Sequence, residues 1–116
     1  MKMKEALRTS RSEAIRTIND CCRKHFLGCT VMITPSVQAL DDTERTQLLQ
    51  AVRDFEQFDG GNDPWHEHDF GAIDLFEQKW FWQFAYYDHT LRMGSDDPSN
   101  TEKTRRVLTV MHSSDY

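Results

Sequence analysis

Apolar positions along this chain keep a helical rhythm in two stretches and an alternating rhythm in the rest. Ile15, Ile18, Cys22 and Phe26 fall on one face at about 100° per residue, which predicts a helix from about Arg11 to about His25. Ser10 and Glu13 have the spacing of a capping box at its start, so residues 1–10 are expected to form a frayed lead-in. Arg16, Arg23 and Lys24 are placed on the opposite, solvent side, and Gly28 is the expected stop. The β-branched run Thr30–Thr34 ends at Pro35 and reads as a short strand. Asp41 and Glu44 repeat the capping spacing ahead of a second helix, about Asp42 to Phe58. Its apolar face carries Leu48, Leu49, Val52, Phe55 and Phe58. Residues 59–64, a run of Asp, Gly, Asn and Pro, then break the helix.

Beyond this break the period changes to two. Phe70–Phe76 and Lys79–Tyr87 read as strands joined by a tight turn near Glu77-Gln78, and Arg105–Met111 as a last strand. In the middle one, Trp80, Trp82, Phe84 and Tyr86 share one face, and Phe81, Gln83, Ala85 and Tyr87 the other. Rings on both faces predict a central strand at least partly covered on both sides. The order α-β-α-β-β-β predicts an α+β fold for a single domain over residues 11–116. Two helices would lie on one face of a mostly antiparallel sheet of about four strands, the last three forming a meander.

Composition narrows the function classes. With 116 residues, 38% of them apolar and only five Gly and three Pro, the chain fits one globular domain and excludes a collagen-like or strongly disordered one. No stretch approaches the roughly 18 apolar residues of a membrane span, and no signal region opens the chain; a cytoplasmic location is expected. Charge is uneven. Residues 1–26 carry seven Lys/Arg against three Asp/Glu, and residues 27–100 carry four against fourteen. So acidic a body would repel a nucleic-acid backbone, which makes a protein partner the expected one. The basic residues Arg11, Arg16, Arg23 and Lys24 are read as a solvated helix face. Cys21, Cys22 and Cys29 form no CxxC pair, and Cys22 is assigned to the core.

Four segments in order, NDPWHEHDFGAI (Asn62–Ile73), WFWQFAYYD (Trp80–Asp88), GSDDP (Gly94–Pro98) and RVLTVMHSSDY (Arg106–Tyr116), resemble a small bacterial domain-of-unknown-function family. The resemblance runs from Ile15 onward. It implies a cytoplasmic accessory protein, met mainly in proteobacteria and on mobile elements, and it carries over no catalytic residue.

Two constellations could carry chemistry. In the segment Asp63–Asp69, His66 and His68 would share one side if the chain were extended, and with Asp69 and Asp88 they are the candidate ligands of a divalent metal. A small metal-dependent enzyme built on His66, His68 and Asp69 is the alternative reading, with a His68–Asp88 pairing open. The second constellation, Tyr86-Tyr87-Asp88-His89, ends the aromatic strand. No phosphate loop, nucleophile elbow or zinc-protease pattern is present, and no cofactor is expected. The leading expectation is therefore an interaction protein. Asp59, Asp63, Trp65, Glu67, Asp69, Tyr87, Asp88, Asp96 and Asp97 are its candidate binding residues. Its carboxylates would imitate phosphates in a basic channel of a host defence or nucleic-acid-handling complex.

Overall fold

A computed structural model describes residues 3–116, with side chains from residue 10 onward. The chain runs α1 (Met3–His25), β1 (Thr30–Ile33), α2 (Pro35–Gln38), α3 (Asp42–Arg53), β2 (Phe70–Leu75), β3 (Gln78–Tyr87), β4 (Arg105–His112) and a closing 3-10 turn, Ser113–Asp115. This is the expected α+β arrangement, with one short helix, α2, that the hydrophobic pattern is too brief to disclose. Helix α1 starts at Met3, so Ser10 lies inside it and does not cap it. The first two residues of the expected frayed lead-in lie outside the described residues. Helix α3 begins as expected: the Asp41 carboxylate accepts from the Glu44 N–H at 2.7 Å.

Strands β2 and β3 form a hairpin in which Leu75 faces Gln78, so the turn residues are Phe76 and Glu77. Both have positive φ, 57° and 61°, the type I′ backbone whose twist suits a two-residue hairpin. The meander continues into β4, and β1 joins the far side of β4 in parallel, giving the order β1-β4-β3-β2. Alternation turns Trp80, Trp82 and Phe84 of β3 inward, where Leu108 and Val110 of β4 and Ile73 of β2 join them. Cys22, Val37, Leu48 and Val52 complete that core from the helices. Gly71 sits under Trp82; a Cβ there would stand 2.3 Å from the indole Nε1.

Two expectations are corrected. Helix α3 ends at Arg53, not near Phe58, because the chain leaves the helix at Asp54. Phe55 and Phe58 still reach the core: Phe55 meets Trp82 edge-on at 5.4 Å between centroids. Arg23, expected in solvent, is fully buried. It belongs to the inward stripe of α1 with Ile15 and Asn19, at spacings of four. Its guanidinium donates to the Val52 and Arg53 carbonyls at 2.8 and 3.2 Å, at the C-terminal end of α3. Arg53 returns the arrangement, donating to the Lys24 carbonyl in the last turn of α1 at 3.0 Å. Each helix thus ends on a cation from the other, where the helix dipoles are negative. The second face of β3 is met by the C-terminal residues. Phe70 and Phe81 there meet the Tyr116 ring, at 6.0 and 5.4 Å.

Candidate functional site

Between α3 and β2 the chain passes against α1, meeting Asn19 and Asp20, and here most of the chemistry-bearing residues gather. His66 and His68 both adopt positive φ, 58° and 52°, so the segment is not extended and alternation does not align the two imidazoles. His66 is exposed. His68 instead turns inward and stacks on Phe58, with ring centroids 3.6 Å apart and planes within 3°. Its Nδ1 lies 2.8 Å from an Asp20 carboxylate oxygen and its Nε2 3.5 Å from one of Asp63. Asp63 also accepts from the His68 N–H at 2.9 Å and is buried. Both imidazole nitrogens therefore face carboxylates, which leaves His68 as the tie between the loop and α1.

A second tie lies beside it. The Asn19 amide donates to the Tyr86 hydroxyl at 2.7 Å and to the Glu67 carbonyl at 3.1 Å, while its oxygen accepts from Arg106 Nε at 2.9 Å. Arg106 lies over the Tyr86 ring, 5.2 Å from its centroid, and its guanidinium also donates to the Pro98 carbonyl. Fully buried polar groups are tolerated when paired in this way. The side chains of Asn19, Asp20 and Arg106 are central here, yet none of the three stands out in the sequence. The only signal for the first two is their place as polar residues on or beside the apolar stripe of α1, within four positions of Arg23.

Of the remaining candidates, Glu67 and Asp69 stay near Asp63 in the same loop and the others are dispersed. Glu67 and Asp69 are half-buried; burial first, then Asp69 and Asp63, push Glu67 up, and burial followed by Asp63 does the same to Asp69. Asp88 accepts from the Thr90 hydroxyl and N–H at 2.7 and 3.0 Å, which holds its carboxyl below the usual range. Asp97 is held down likewise by Ser99 and faces Arg11 at 4.0 Å. Asp59 accepts from Gly61 and Asn62 and closes a turn, and Asp96 lies in the loop before β4. Asp88 thus stands apart from the pair that His68 uses, and His66, His68, Asp69 and Asp88 do not converge. Among the described residues, no group of three or more His, Cys, Asp or Glu side chains is placed to hold a metal ion.

What the loop does offer outward is Trp65, 62% exposed. Tyr87, Leu91 and Met93 form further exposed apolar surface at the end of β3 and in the loop after it. A groove of about 520 Å³ lies on the other side of the hairpin, between β2 and residues 54–57. Elsewhere, the Cys29 thiol donates to the Cys22 carbonyl at 3.9 Å, and the neighbouring Cys29 side chain and Arg106 hold the Cys22 thiol below its usual range although burial opposes it. No helix among the described residues is long and apolar enough to cross a membrane.

Fold and site together define a small α+β domain with helices on one sheet face and a polar-clamped loop presenting an indole. The sequence signature of a family described as proteins of unknown function (DUF3768) matches residues 33–115, and the chain belongs to that family. The match begins in β1, so α1, which supplies half of both ties, precedes the matched segment. No curated protein and no solved structure matches the chain.

Proposed function

We propose that this chain is a cytoplasmic interaction protein that binds a protein partner, and that Trp65 is its anchor. The observation carrying this reading is the exposure of that indole on a loop fixed from beneath by His68 between Asp20 and Asp63. Large rings dominate binding energy at protein interfaces, and a segment already ordered before contact loses less entropy on binding. The acidic body adds steering toward a basic surface. In its concrete form the partner is a basic, nucleic-acid-handling protein of a bacterial host, inhibited through phosphate mimicry by an accessory protein of a mobile element. Asp54, Glu56 and Asp74, exposed around the groove, and Asp59 at the neighbouring turn are better placed for that mimicry than buried Asp63. A metal-dependent reaction has less support, since both nitrogens of His68 are engaged.

The test is affinity capture from a bacterial host extract with the wild-type chain and with Trp65→Ala. A basic protein enriched by the wild type, released by salt and absent with the variant is expected. Trp65→Ala should melt within a degree or two of wild type, because the ring is exposed. Identical captures by the two proteins, or no enriched protein, would remove the basis for this reading.

A further inference from the structure

Strand β2 lies at the edge of the sheet, and its hydrogen-bonding phase can be read directly. Opposed residues in an antiparallel pair alternate between those that exchange backbone hydrogen bonds and those that do not. The Phe84 N–H donates to the Asp69 carbonyl at 2.9 Å, which makes Asp69–Phe84 a bonded pair. Stepping by two, Gly71–Trp82, Ile73–Trp80 and Leu75–Gln78 are bonded as well. Phe70, Ala72 and Asp74 therefore turn their N–H and C=O groups away from β3. Among the described residues, no backbone group outside β3 bonds to them.

The groove of about 520 Å³ runs along this free edge, with Ala72 and Asp74 on one wall and Asp54, Phe55 and Glu56 on the other. Phe55 gives it an apolar floor, and the three carboxylates stand exposed round it. Among the described residues, Glu56 and Asp74 pair only with exposed lysines, Lys24 at 3.3 Å and Lys79 at 3.8 Å, contacts that a ligand's cations can replace. A charge on an edge strand also has a protective role, since it discourages pairing with a second copy that carries the same charge. The same repulsion selects the occupant: like charges exclude this chain itself and favour a strand bearing Lys or Arg.

We propose that β2 accepts an extended, Lys/Arg-bearing segment of a protein partner as a fifth strand, its cations meeting Asp54, Glu56 and Asp74. The proposal rests on the protein-binding reading above and adds the partner's chemistry and its mode of attachment. Main-chain hydrogen bonds to Ala72 and Asp74 would supply affinity, and the acidic wall would supply selection.

A short synthetic peptide alternating Lys and Val is the probe, beside a version interrupted by a central Pro and a Glu/Val version. Amide NMR of the intact chain should show shifts at Ala72 and Asp74, with their exchange slowed about tenfold or more at saturation. The Pro-interrupted and Glu/Val peptides should bind at least about tenfold more weakly. Ala72→Pro removes one outward donor without touching the β3 ladder, and the triple change Asp54→Lys, Glu56→Lys, Asp74→Lys alters exposed positions only. Each should weaken the Lys/Val peptide by about tenfold or more while the remaining amide spectrum stays native. Equal binding of the uninterrupted and Pro-interrupted peptides, or shifts that avoid Ala72 and Asp74, would overturn the added strand. Partner capture that depends on Trp65 but ignores both edge variants would also overturn it, with the interaction reading intact. Capture indifferent to Trp65 would instead remove that reading.

Discussion

Replacing Arg23 by methionine is expected to lower the unfolding free energy by about 2 kcal/mol. The guanidinium makes two hydrogen bonds to carbonyls at the end of α3, at 2.8 and 3.2 Å, and bonds to a charged group contribute about 1.5–3 kcal/mol each. The Val52 carbonyl keeps a second, longer bond from the Phe55 N–H at 3.4 Å, so the loss there is partial. Contacts with the Trp82 and Phe58 rings, at 5.0 and 5.5 Å, add about 1 kcal/mol. Against these stands the desolvation of a fully buried cation, paired only at 3.4 Å with Asp20 and without a partner at Nε, which methionine relieves by about 1–3 kcal/mol. The capping of α3 outweighs that relief, and the balance favours arginine by about 2 kcal/mol. Urea unfolding followed by far-UV circular dichroism measures it, as a lower midpoint at unchanged slope. Arg23→Lys, which keeps the charge and loses the fork, should fall between the two. A methionine variant as stable as the wild type, or more so, would refute the reasoning, because the guanidinium would then be tolerated and not stabilising.

Three further outcomes follow from the same geometry. Gly71→Ala should cost about 1–3 kcal/mol, since its Cβ would meet Trp82 Nε1 at 2.3 Å, and Trp82→Phe in the same chain should recover part of that in a double-mutant cycle. His68→Leu leaves Asp63 buried without its imidazole, so amide exchange over residues 59–69 should accelerate at least about tenfold relative to the β3–β4 strands; uniform exchange across the chain would contradict the tie. Glu67 and Asp69 have raised carboxyls in the folded state, so the folded chain binds more protons than the unfolded one above their ordinary values of 4.5 and 3.8. Their contribution to stability falls as pH rises through that window, and Glu67→Gln with Asp69→Asn should gain stability at neutral pH and flatten this slope in urea titrations from about pH 4 to 7.

The sequence by itself determined the four strands, the presence of the two long helices and the inward rings. Period-two alternation is a local property, so Trp80, Trp82 and Phe84 could be assigned to one face before any partner was known, and the Asp41 cap is legible because it acts within four residues. It determined the family resemblance too. What only the tertiary structure decided depends on contacts between distant segments. The parallel pairing of β1 with β4 joins residues more than seventy positions apart. Arg23 looks like a surface residue until the end of α3 stands opposite it, and His68 looks like a metal ligand until Asp20 and Asp63 flank its ring. A polar side chain's place is set by whatever satisfies its hydrogen bonds, and when that partner comes from another element, local pattern carries no trace of it.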